Sequence, residues 1–372
     1  MSAHTDDSAL FEENLARLFG HYAAPHARQR AEALGWMPDL WAVLADGGLA
    51  SVGVPESAGG VGGSFSDVAA LLRMAGRHAV ALPLAEMSGL LGGWLVAEAG
   101  LALPQGPLSV PLPRPADYLV LKGSRVSGFL QRVPWGGQVT AVVALATSKD
   151  GIAAVLLDPR EATIARGRNV AGEPRDSLTF DDATLASGRM APVAPTVGDE
   201  LQLRGALSRA LVMAGALEAV AELTVRYSGE RHQFGRPVGR FQAVAQRLAR
   251  LTSETEAAAL AAAVALRRFE VVGTDATFEV AAAKTTVGRA AGDVTVDAHQ
   301  VHGAMGMSQE YPLHHFTRRL WAWRQEWGSE TYWAQQLGRH VVNMGSHALW
   351  PRLATGLMND DTSISTDLEL AT

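Results

Sequence analysis

Apolar residues recur at helical spacing along residues 8 to 101, with Gly- and Pro-containing breaks, as in DVAALLRMAGRHAVALPLAEMSGLLGGWLVAEAGL. That period predicts a helical first domain over 1–105. The Pro-rich stretch from Leu103 to Pro115 cannot continue a helix, because proline lacks the amide hydrogen and clashes with the preceding turn, so it marks a boundary. Short β-type runs follow, DYLVLKG, QVTAVVALATS, GIAAVLLDP and SLTFDDATL, each bounded by Gly, Asp, Pro or Ser. They predict a small β domain over 106–198, closed by a second linker from Met190 to Glu200. Ala- and Leu-rich sequence then runs from about 201 to 350, a composition that favours long helices and predicts a bundle over 199–352. Residues 353–372 read as a tail, ordered only if a partner binds it.

Composition narrows the picture without deciding it. A chain of 372 residues with 48% hydrophobic content buries a large core and divides into two or three domains. There is no cysteine, which excludes disulfides, thiolate metal sites and cysteine nucleophiles. The start, MSAHTDDSALFEENLARLF, is acidic and polar rather than basic then apolar, and no uncharged run is long enough to span a bilayer. A cytoplasmic location is expected, with no membrane span. Net charge is -6 with the two signs interspersed, so no basic stripe offers a nucleic-acid surface. No metal site is expected either: His314 and His315 are adjacent and should diverge on a helix, and Glu310 lies across Pro312.

The densest chemistry lies in ERHQFGRPVGRFQAVAQRLA, residues 230 to 249. Arg231 offers a planar, permanently charged fork suited to phosphate oxygens, Gln233 adds an amide, and Gly235 and Pro237 break the helix so that backbone N–H groups face outward. Gln242 reappears on the next helix. Taken alone, Arg231 fits equally well as a solvated arginine on a polar helix hairpin.

Together, Tyr227, Arg231, Gln233-Phe234-Gly235, Pro237 and Phe241-Gln242 resemble the flavin-binding signature of the acyl-CoA dehydrogenase family. QVHGAMGMSQEYPLHHFTRR, from Gln300 to Arg319, resembles that family's Gln, Gly-Gly-x-Gly, Glu-x-Pro, Arg run. In the N-terminal third, Leu40 to Ser64 resembles the family's early helix and its Pro-Glu-x-x-Gly-Gly-x-Gly loop. The resemblance implies an α+β multidomain fold: a helical N-terminal domain, a small middle β-barrel and a C-terminal four-helix bundle. It also implies FAD between the middle and C-terminal domains, with the bundle of a neighbouring subunit closing over the dinucleotide. By that resemblance Arg231, Gln233, Phe234, Gly235 and Gln242 meet the pyrophosphate region. Gln300, Val301, His302, Gly303 and Ala304 match the loop at the adenosine half, with Ala304 in place of the family's second glycine.

The family's base is a glutamate, nine residues after the arginine of an Arg-Asp pair. Counted from Arg318 that position is Trp327, with Gly328 and Ser329 following in register, and Ser329 joins the expected cofactor contacts. Some relatives carry the base about twenty-five residues before the signature arginine. Here that region is LRGALSRAL, with Gly205 and Ala206 and no carboxylate. Glu326 and Glu330 are the nearby acids, but a one-residue shift on a helix turns a side chain by about 100°.

The family's Thr-Glu-Pro-x-x-Gly-Ser-Asp segment has no counterpart between Leu101 and Ala146, and its Trp-x-Thr has become RVPWGGQV, with Trp135 in only part of that role. This asymmetry resembles heteromeric acyl-CoA dehydrogenases of actinobacterial steroid side-chain breakdown, in which unlike subunits form an α2β2 assembly. The resemblance implies a subunit without the base, completing the FAD site of an unlike partner, with an acyl-CoA substrate and electron-transfer flavoprotein as acceptor. Two other readings stay open: a self-sufficient homotetramer or related flavin enzyme using Glu326, and a cofactor-free scaffold.

Overall fold

The computed structural model describes residues 3 to 351 apart from Ser346 and Ala348, so the tail expected over 353–372 lies outside the described residues. Six helices come first: α1 (Ala3–Tyr22), α2 (Pro25–Leu34), α3 (Pro38–Asp46), α4 (Phe65–Arg77), α5 (Leu84–Met87) and α6 (Gly92–Glu98). Pro25 and Pro38 stand in the first turns of their helices, where no amide partner is lost. The start of α4 is fixed by a capping box, with Asp67 N donating to Ser64 Oγ and Ser64 N to Asp67.

Eight strands follow: β1 (Leu108–Ser109), β2 (Tyr118–Lys122), β3 (Arg125–Pro134), β4 (Ala141–Ser148), β5 (Gly151–Leu157), β6 (Ala162–Ala165), β7 (Arg175–Thr184) and β8 (Met190–Pro192). They form one mixed sheet in the order β6-β7-β3-β2-β4-β5-β8, and β1 runs parallel to β4 at its beginning while β2 runs parallel to its end. Period-two geometry splits β4 between two cores. Ala141 and Val143 face the large core shared with the helices, whereas Val142, Ala144 and Ala146 face the sheet's own core with Leu130 and Phe180. Burial on both faces explains why this strand reads as a continuous apolar run. No run of the sequence predicts β3: its burial alternates from Arg125 to Leu130, but Gly128 stands at an inward position and Phe129 at an outward one, and an extra residue follows between Leu130 and Val133.

The remaining helices are α7 (Val197–Glu230), α8 (Gln242–Val272), α9 (Thr277–His302), α10 (Leu313–Trp323) and α11 (Glu330–Met344), and between α7 and α8 a hairpin of β9 (His232–Gln233) and β10 (Arg236–Pro237) projects. α7 is the axis of the molecule, buried on all sides from Leu203 to Leu217 against α4, α8, α9 and α10. A pair of glycines sets its closest approach to the N-terminal helices. A methyl group on Gly76 would stand 1.8 Å from Val212 O, and one on Gly215 would stand 1.8 Å from Arg73 O. Helices α4 and α7 therefore touch backbone to backbone.

Candidate functional site

Arg231 caps α7 with its amide on Tyr227 O at 2.9 Å, and the chain then turns through the hairpin. Its two loop residues, Phe234 and Gly235, have φ of 51° and 80°, the pairing that a tight hairpin demands. A bulky residue there carries backbone strain, yet Phe234 is 92% exposed, so no core contact compensates it. Among the described residues the side chains of Arg231 and Gln233 make no hydrogen bond, and Gln242 is exposed at the first position of α8.

The second predicted set lies beside the first. Tyr227, one turn before Arg231, stacks on His302 with ring centroids 4.4 Å apart and donates to His302 O at 3.3 Å. His302 donates from Nδ1 to Ala298 O at 2.8 Å, and burial lowers its basicity, so it stands as a neutral, packed ring. Its Nε2 is buried without a partner. Gln300, Gly303 and Ala304 are exposed and Val301 is half-buried, on the last turn of α9 and the 3-10 turn that follows. Nothing lies within 4 Å of where a methyl group on Gly235 or Gly303 would be. A free guanidinium, two free amides and open glycine backbone fit the phosphate-bearing half of a dinucleotide.

The crevice between sheet and bundle has a different character. After α10 the turn from Arg324 to Gly328 buries Glu326, whose Oε1 accepts from Arg175 Nε at 2.8 Å and whose Oε2 accepts from Arg209 Nε at 2.7 Å. Arg209 also pairs with Glu86, and Arg175 pairs with Glu173 at 3.0 Å. Glu173 accepts from Trp323 Nε1 at 3.0 Å and lies 3.1 Å from Arg319 Nε, close but not aligned for a hydrogen bond. Three carboxylates and three guanidiniums thus balance inside the protein, drawn from α5, the sheet, α7 and α10. Burial alone would push the Glu326 carboxyl up, but Arg175 and Arg209 outweigh it and hold it below the usual carboxylate range. That is the opposite of what a proton acceptor needs. Glu330 is likewise committed, to Arg324.

Trp327 is 2% exposed, with φ of 56°, and its ring lies on α7 at Gly205. A methyl group on Gly205 would stand 2.0 Å from the ring. The two positions at which the family resemblance sets a base, 327 and 205–206, are therefore neighbours in space, and neither carries an acid. Gln202 Nε2 and Trp333 Nε1 donate to Trp327 O at 3.0 and 2.8 Å, while the indole N–H of Trp327 is buried without a partner. Lys284, fully buried on α9, donates to Arg324 O at 2.9 Å and Gly328 O at 2.7 Å, clamping both ends of the turn. Burial drives its pKa down to about 7, against Glu330 and Glu326. Ser329 caps α11, accepting from Tyr332 N at 3.2 Å. Trp135 spends its indole N–H on Gly35 O at 2.7 Å and lies under Arg175, so it presents no free face to the crevice.

His314 and His315 depart from the expected divergence. In the first turn of α10 their ring centroids are 4.0 Å apart, and both approach Glu32 of α2. No sequence signal joins Glu32 to them, because the contact is made by packing between distant segments. Among the described residues no helix is long and apolar enough to cross a membrane.

The sequence matches two domain families, "Acyl-CoA dehydrogenase, N-terminal domain" over residues 5–102 and "Acyl-CoA dehydrogenase, C-terminal domain" over residues 203–341. Acyl-CoA dehydrogenase FadE28 of Mycobacterium tuberculosis is 30% identical over 306 residues, which cover 74% of this chain and 84% of that protein. Acyl-CoA dehydrogenase IpdE2 of Mycolicibacterium smegmatis is 29% identical over 324 residues, covering 85% and 92%. The fold is similar to that of the ChsE4-ChsE5 complex from Mycobacterium tuberculosis, with a TM-score of 0.82 at 23% identity over 91% of this chain and 98% of that one. A Tcur3481-Tcur3483 steroid ACAD variant gives a TM-score of 0.80 at 26% identity, again over 91% and 98%. With helical domains matched at both ends, a sheet between them and a relative aligned over most of its length, this chain belongs to the acyl-CoA dehydrogenase family.

Proposed function

We propose that this chain is the base-lacking subunit of a heteromeric, FAD-dependent acyl-CoA dehydrogenase, completing a flavin site whose catalytic carboxylate belongs to an unlike subunit in an α2β2 assembly. The observation that carries it is Trp327 on Gly205: both positions for a base are occupied by a wedge and its groove. By the resemblance the flavin ring would lie between sheet and bundle, and there the buried Glu326 is tied to Arg175 and Arg209, a lattice of paired charges that does not suit the ring half of the cofactor. Those at the hairpin and the Gln300 loop do fit its phosphate and adenosine half. Two structures of similar fold support an assembly of unlike chains, since one is a ChsE4-ChsE5 complex and the other a Tcur3481-Tcur3483 steroid ACAD. A steroid side-chain thioester is the substrate class this reading favours.

In such a reaction the α-proton of the acyl thioester goes to the partner's carboxylate and hydride leaves the β-carbon. FAD held with the partner would supply the hydride acceptor, with electron-transfer flavoprotein as the acceptor of the complex. Arg231 would neutralise pyrophosphate charge, Gln233 and Gln242 would orient it through their amides, and Gln300, Val301, His302, Gly303 and Ala304 would meet the adenosine half. Trp327 fills the space beside Gly205, and Ser329 caps the α11 end of the turn. The test is acyl-CoA dehydrogenation by the chain alone, supplied with FAD and an artificial electron acceptor. No turnover is expected, and turnover abolished by Glu326→Gln would contradict the reading.

A further inference from the structure

Where α2 meets α10, Glu32, His314 and His315 bring one ligand atom each to within 4.8 Å of the others. His315 Nδ1 is 3.3 Å from Glu32 Oε1, and His314 Nδ1 is 3.7 Å from the same oxygen. The protons on these groups are constrained by their partners. His314 Nε2 bonds Gln309 O at 3.2 Å, and a carbonyl only accepts, so Nε2 carries a hydrogen and Nδ1 is the nitrogen that faces the carboxylate. His315 is 7% exposed, and its Nδ1 is buried without a hydrogen-bond partner. Three potential ligand atoms therefore converge, and Glu32 Oε1 accepts a hydrogen bond from Arg318 Nη1 at 2.9 Å.

Two imidazole nitrogens and one carboxylate oxygen are a donor set for a borderline-soft divalent ion, not for the all-oxygen cages of calcium or magnesium. Bonds of about 2.0–2.1 Å at tetrahedral angles separate ligand atoms by roughly 3.3 Å. The two distances to Glu32 are at or just above that edge. The Gln309 carbonyl already provides the outer support that a metal-bound histidine requires. We propose that Glu32, His314 and His315 form a zinc-class metal site that joins α2 of the N-terminal helices to α10 of the bundle, with its fourth position open.

The surroundings set its strength. Arg318 occupies Glu32 and also donates to Val170 O at 2.9 Å, while Arg28 and Arg319 stand close by with the same sign of charge. Arg318 therefore acts as the competing cation, holding the carboxylate in the metal-free chain and releasing it when an ion enters.

The experiment is calorimetric titration of ZnCl2 into the EDTA-treated full chain, beside MgCl2 as control. A saturable phase of one Zn2+ per chain is expected, weakened at least about tenfold in Glu32→Gln and His315→Asn and strengthened at least about tenfold in Arg318→Gln. Because the chain holds eleven histidines, the variants decide. Absence of a saturable phase, or one unchanged in both ligand variants, overturns the proposal. Should His315→Asn fail to fold, His314→Asn carries the same comparison, with the rise in thermal midpoint on adding zinc as the second readout.

Discussion

Trp327 and Gly205 fit each other as wedge and groove: the indole lies where any side chain on residue 205 would have to be, 2.0 Å from the position of an added methyl. Gly205→Ala is expected to destabilise by about 1–3 kcal/mol through overpacking, because backbone on one side and an aromatic ring on the other leave no flexible atom to yield. Trp327→Ala should cost about 3–5 kcal/mol through the cavity it opens. The double variant should cost clearly less than the sum. Denaturant unfolding of the four proteins measures this, and additive losses would show that the contact is not the constraint.

Glu326→Gln should lower stability by about 3–5 kcal/mol, since it leaves Arg175 and Arg209 buried without their shared counter-charge. The wild-type contribution has a defined pH window. A carboxyl whose folded pKa lies below its ordinary 4.5 stabilises fully above that value and loses the contribution as pH falls through the folded pKa. Unfolding midpoints followed from pH 6 downward should therefore fall more steeply in wild type than in the variant.

Lys284 predicts a second effect in the same direction, stability rising with pH, but at the alkaline end. With a folded pKa near 7 against an ordinary 10.5, the unfolded chain binds one more proton between those values. Stability from this group rises as pH climbs from about 7 towards 10.5 and is level below about 7. Lys284→Met should abolish the rise, read by unfolding at several pH values, and should also loosen the turn whose carbonyls the ammonium holds.

Arg231→Ala and Gln233→Ala should leave the stability of the chain within about 0.5 kcal/mol of wild type, because neither side chain is engaged within the described protein. In the assembled enzyme the arginine change should weaken flavin retention at least about tenfold, the size of a lost charge-assisted bond. Phe234→Gly should raise stability slightly by relieving the positive φ. Equilibrium dialysis against FAD, beside thermal unfolding, separates the two effects.

The parts legible in the sequence are those with local signals. Proline marks the edges of the sheet region, alanine-rich runs mark α7 to α9, and the turn expected at Gly235 and Pro237 is there, with Arg231, Gln233 and Gly235 exposed. The lattice at the centre was not legible. Glu86, Arg175, Arg209 and Glu326 come from four separate segments, and only packing brings them together. The same holds for Glu32 with His314 and His315, where adjacency on a helix argued for divergence and a long-range partner drew both rings to one side. Strand β3 is not legible because Gly128 takes an inward position and Phe129 an outward one, which blurs the apolar alternation although burial follows it.

The visible absorption spectrum of the chain purified alone, scored as flavin per protomer, shows whether its flavin site is complete without an unlike subunit. Colourless protein that turns yellow only when assembled with an unlike acyl-CoA dehydrogenase subunit is the predicted result. Yellow protein with about one flavin per chain, in a homo-oligomer, would mean that the crevice filled by Glu326, Arg175 and Trp327 opens to admit the cofactor, and the account would be wrong.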